Sequence, residues 1–155
     1  MKSMSSQLTR RNSLAAFLSA LFYAPVCGAN EIGSCKGNTV EDARGVQFAS
    51  EARAFFATLR SIVADDDKEA FALLVRYPVA VSGTSEPKTI SNSADLLKRY
   101  PAIVTPELKH AVIAQEPQCL FANYQGVMVG NGEIWFEKEN GGKFGIITLN
   151  VPARK

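Results

Sequence analysis

The chain has 155 residues, 46% hydrophobic and 21% charged, with 17 Lys and Arg against 15 Asp and Glu. Those proportions exclude a disordered or fibrous chain and fit one globular domain. A single His and three Cys also speak against most zinc sites and acid–base relays, which draw on clusters of these residues, so neither a metal nor a cofactor is expected.

Residues 1–29 hold Lys2, Arg10 and Arg11 and no acidic residue. An apolar run from Leu14 to Ala24 follows, then Pro25 and small residues ending at Ala29. Basic start, short apolar centre and small-residue end are the pattern of a cleaved secretory signal peptide. The run is interrupted and falls short of the roughly 20 residues that span a bilayer, so no stable membrane span is expected in the mature chain. The Arg10-Arg11 pair leaves twin-arginine export open beside the general route. Lipidation at Cys27 or Cys35 is the weaker alternative: Pro25 and Val26 precede the first, and the second lies well beyond the apolar run. The expected location is periplasmic or secreted. The organisation read from the chain is a signal peptide over 1–29, an N-terminal extension over 30–45 and one α+β domain over 46–155.

Cleavage leaves fourteen basic against fifteen acidic side chains, so the apparent basicity belongs to the leader and nucleic-acid binding has no electrostatic basis. It also leaves Cys35 and Cys119 as the cysteines of a chain bound for an oxidising compartment, and they are expected to pair. That bridge closes a loop of 84 residues, for which chain entropy gives about 4 to 5 kcal/mol.

From Phe48 the apolar residues Ala52, Phe55, Phe56, Leu59, Ile62 and Val63 recur at three and four, one stripe of a helix. Asp66 and Glu69 are spaced as a capping box for a second helix carrying Ala70, Phe71, Leu74 and Val75, which ends at Arg76-Tyr77-Pro78. The acidic run Asp65-Asp66-Asp67 lacks the alternating ligands and central Gly of a calcium loop. Val79 to Val81 and Thr89-Ile90 read as a short hairpin. A third helix starts near Ser91 or Ser93 and ends at Arg99-Tyr100-Pro101, and Thr105-Pro106 opens a fourth. Beyond Pro117 the pattern turns to strands, Cys119–Tyr124, Val127–Val129, Glu133–Glu137 and Phe144–Val151, parted by Gly130-Asn131-Gly132 and Asn140-Gly141-Gly142. The class is therefore α+β, with N-terminal helices packed on one face of a curved antiparallel sheet.

This order of elements, with Leu74-Val-Arg-Tyr-Pro, Asp95-Leu-Leu-Lys-Arg-Tyr, Ile103-Val-Thr-Pro and Gln125-Gly-Val-Met-Val-Gly-Asn-Gly-Glu-Ile-Trp-Phe, resembles the nuclear transport factor 2-like, or cystatin-like, cone. The similarity spans roughly residues 48–150 and is to exported bacterial members without an assigned activity. It implies a pocket between the concave sheet face and the helices. Enzymatic members place an Asp or His base there with Tyr or Asp donors, while other members only bind.

The candidate ligand contacts are Tyr77 and Tyr100 at the expected helix exits, Asn123 beside an apolar strand face, and Trp135. No assembled catalytic motif accompanies them. His110 has no acidic partner evident in its own turn, and Glu133 and Glu137 share one strand instead of facing each other across a cleft. Gly126, Gly130 and Gly132 lie between strands, without the helix N-terminus that a phosphate loop requires. Cys119 as a nucleophile competes with its own disulfide. The residues weigh against an enzyme and favour a non-catalytic binding or protein-interaction domain, whose partner is an unknown small apolar ligand, another protein or a second copy in a homodimer. One alternative is an isomerase or cyclase using His110, Asp95 or a Glu as base with a Tyr donor. Another is a periplasmic inhibitor or immunity protein. If the source is a pathogen, host antibodies would also meet an exported domain.

Overall fold

The computed structural model describes residues 35, 37–85, 88–140 and 142–152, so the expected leader lies outside the described residues. The first helix, α1 (Val40–Arg44), is opened by a reciprocal cap. The Thr39 hydroxyl accepts from the Asp42 amide at 3.3 Å, and the Asp42 carboxylate accepts from the Thr39 amide at 3.0 Å. The long helix α2 (Val46–Ala64) follows the predicted stripe, with Ala49, Ala52, Phe56, Leu59 and Val63 buried. Then come α3 (Lys68–Leu73), β1 (Val75–Ser82), β2 (Thr89–Ile90), α4 (Ser93–Ile103) and α5 (Pro106–Ala114). A single 3-10 turn, Pro117–Cys119, leads into β3 (Phe121–Asn123), β4 (Gly126–Val129), β5 (Ile134–Lys138) and β6 (Phe144–Asn150).

The strands form one curved, unclosed sheet in the order β2-β1-β6-β5-β4-β3. Neighbours are antiparallel except β1 and β6, which run parallel, with Ala80 opposite Thr148 and Ser82 opposite Asn150. The sheet is thus mixed at that pair: a parallel neighbour needs a long crossover, and everything from β2 to β5 supplies it. One cross-strand row, Ala122–Val127–Phe136–Ile146, is buried. There the rings of Phe55 and Phe136 lie 4.8 Å apart, and Phe48 meets Phe144 at 5.2 Å. The alternate row, Phe121–Met128–Trp135–Thr148, is half-buried on the opposite face.

Three local expectations are corrected. The second helix does not run to Tyr77: it stops at Leu73, and Val75 to Ser82 are strand. Pro78 disfavours helical backbone at Tyr77, and the β-branched Val75, Val79 and Val81 suit a pleated surface. The third helix does not stop before Pro101. It passes through that residue to Ile103 because Tyr100 and Ile103 are buried anchors, and Val104 still donates to the Tyr100 carbonyl at 2.8 Å. The cap of α3 is Asp67, whose carboxylate accepts from the Ala70 amide at 2.9 Å, which leaves Asp66 for another contact.

Cys35 and Cys119 are joined, with Cα atoms 5.1 Å apart. Beyond the bridge, Thr39 pairs antiparallel with Phe121 and the Val40 amide donates to the Leu120 carbonyl at 2.7 Å. Val40 is fully buried. The second half of the expected N-terminal extension is therefore built into the domain, where it covers the β3 edge.

Candidate functional site

Among the described residues, large apolar side chains stand between sheet and helices. Phe56, Phe71, Phe136, Leu59 and Leu108 are all fully buried there, and Phe55 on α2 sets its ring at a tilt to Phe136. Aromatic and branched side chains thus stand where a pocket between the concave face and the helices was expected. Thr105 is buried and caps α5 by accepting from the Leu108 amide at 3.3 Å.

The four candidate contacts fall in different places. Tyr77 lies in β1, and its hydroxyl donates to the Ala72 carbonyl at 3.1 Å; burial pushes its ionisation upward. Tyr100 is 5% exposed and sets its ring edge-on to Phe71 at 5.7 Å. Its hydroxyl donates to Asp66 Oδ1 at 3.2 Å, the same oxygen that accepts from Lys109 Nζ at 2.6 Å. Burial first, then the Asp66 carboxylate, push the Tyr100 hydroxyl well above the ordinary tyrosine range. Both tyrosines therefore fasten the surroundings of α3 and do not converge on a shared ligand. Trp135 lies on the face away from the helices, opposite Met128. Asn123 lines a surface groove.

Polar side chains line several open grooves, two of which hold residues weighed in the sequence analysis. The first, about 750 Å³, runs between α5 and the β4–β5 turn and is lined by Glu107, His110, Gln115, Asn131, Glu133 and Pro152 among others. Its turn is held by side chains: the Gly130 amide donates to Gln115 Oε1 at 2.9 Å, and the Asn131 amide donates to Glu133 Oε2 at 2.5 Å. Glu107 stands three residues before His110 on α5 and lines the same groove, a neighbour that the sequence reading missed. Their i, i+3 spacing was the available signal. Among the described residues no group of three or more His, Cys, Asp and Glu side chains is placed to hold a metal ion.

The second groove, about 630 Å³, lies at the β3–β4 turn and is lined by Asn38, Ala43, Arg44, Phe121, Asn123 and Tyr124 with Ala122. The strand expected over Cys119–Tyr124 is shorter: β3 ends at Asn123 and Tyr124 sits in the turn, 91% exposed. The signal was Gly126 at the start of β4: with Asn123 paired to Gly126, only Tyr124 and Gln125 remain to make the loop. Arg44 braces this corner, its guanidinium bonded to both Glu137 oxygens at 3.0 and 3.1 Å and to the Asn123 carbonyl at 3.1 Å.

Compared with protein-family models, curated proteins and solved structures, the chain matches none of them.

Proposed function

We propose that this chain is an exported, non-catalytic binding or protein-interaction domain of the nuclear transport factor 2-like, cystatin-like kind. The observation that carries this reading is the placement of its polar chemistry. Amide, carboxylate and imidazole side chains stand around open surface grooves, while the layer beneath the helices is packed with aromatic and branched residues. Such an arrangement suits recognition of a partner from outside better than enclosure of a small substrate. The Cys35–Cys119 bridge suits an oxidising compartment, and no described helix is long and apolar enough to cross a membrane.

Native mass spectrometry of the protein taken from its own cell envelope tests the reading. The expected species lacks residues 1–29, is two hydrogens lighter than the reduced chain, and carries a bound ligand or protein. A mass that retains those residues, or an added lipid, overturns the processing proposed here. A chain that emerges bare under gentle conditions overturns the binding role.

A further inference from the structure

We propose that the groove at the β3–β4 turn is a saccharide site, in which a neutral hexopyranose ring lies against Tyr124; the proposal rests on the binding reading above. Its starting point is the rigidity of the turn. Asn123 Oδ1 accepts from the Gln125 amide at 2.8 Å. Gly126 has a φ of 137°, and a Cβ there would stand 2.8 Å from the Phe136 carbonyl oxygen. The two-residue loop is therefore fixed from both ends, and it holds Tyr124 outward with 91% of its surface in water. A ring so placed contributes little to the core, and ordering it against a ligand costs few rotamers.

Charge then narrows the ligand. Among the described residues, Arg44 is the one charged side chain lining this groove. Its guanidinium is matched by the Glu137 carboxylate in a two-point contact and lies over the Phe48 ring at 4.3 Å. With that charge compensated, neither an anion nor a cation gains from the groove. What remains is an apolar surface from Tyr124 and Phe121, beside the amides of Asn38 and Asn123. Side-chain amides both donate and accept, and with Asn123 Oδ1 committed to the loop, its nitrogen carries the donors left for a hydroxyl. A pyranose meets these features together: its C–H face is apolar, its rim is hydroxyls and it carries no charge. The groove volume, about 630 Å³, falls in the range of about 300–1,000 Å³ usual for small-molecule sites.

The test is a ¹H–¹⁵N amide titration of the oxidised mature chain with cellotetraose, maltotetraose and chitotetraose at millimolar concentration. At least one of them should shift the amides of Phe121, Asn123, Tyr124 and Gln125. Tyr124→Ala should weaken that binding about tenfold, the scale of one aromatic contact, and Tyr124→Phe should retain it. Because the side chain is exposed, the spectrum elsewhere should not move, which separates lost binding from lost folding. No shift with any of the three sugars overturns the proposal, as does a titration that Tyr124→Ala leaves unchanged. If the sugars fail while the envelope-purified protein still carries a partner, the saccharide assignment falls and the binding role stands. If that protein carries nothing, the binding role falls first.

Discussion

Asp66 has a φ of 55°, a left-handed conformation that Asp and Asn tolerate better than other side chains. Its carboxylate is bonded by Lys109 and Tyr100, and the Lys109 bond holds its ionisation below the usual carboxylate range. A folded-state value below the unfolded one means stability that is present above about pH 4 and lost as the pH falls through the depressed value. Asp66→Asn keeps the backbone preference but removes the charge. Its urea midpoint should lie below that of the parent at neutral pH, and the gap should narrow under acid; a gap constant down to about pH 2 would refute this account. Two glycines give a second comparison. Gly45 and Gly83 have φ values of 85° and 78°, but a Cβ at Gly45 meets nothing within 4 Å, whereas one at Gly83 would stand 2.1 Å from the Val151 carbonyl oxygen. Gly45→Ala should cost about 1–3 kcal/mol for backbone conformation alone. Gly83→Ala should cost more, because backbone has to move, and equal unfolding midpoints for the two variants would contradict the contact. The sequence did not disclose the role of Asp66, because its partners come from helices 34 and 43 residues away in the chain.

Among the elements, α4 holds a proline where its helix would otherwise bond. Pro101 has no amide to offer the Leu97 carbonyl, yet the helix continues to Ile103, held by buried Tyr100 and Ile103. Pro101 itself is exposed, so Pro101→Ala should restore the bond without disturbing the core. A gain of about 1 kcal/mol or more is expected, read as a higher thermal midpoint; a lower midpoint would show that the proline is needed for the path of the chain. The same residue explains a misreading. Proline is the strongest helix terminator visible in a sequence, and only burial on either side of it overrides the rule. At β1 the error ran the other way: Phe71, Leu74 and Val75 keep helical spacing, but pairing with β6 and β2 outweighs that short periodicity.

At the scale of the whole molecule, the Cys35–Cys119 bridge is the longest covalent constraint described. It joins the strap that covers β3 to the turn before that strand, across 84 residues. Replacing both cysteines by serine should lower the unfolding free energy by about 4 to 5 kcal/mol. A urea series that detects no change in midpoint would show that the strap is held by Val40 and its backbone bonds alone.

Local periodicity, turn chemistry and a short list of cysteines were enough to read the α+β class, the stripe of α2, the glycine-marked hairpins and the pairing partners of the disulfide. Tertiary structure alone decided that β1 lies parallel to β6, that Tyr77 and Tyr100 fasten α3, and that Tyr124 stands at a groove with Asn123 and Arg44. Those outcomes depend on contacts between segments far apart in the chain. Their stabilisation comes from packing and charge matching, which no local pattern of residues encodes.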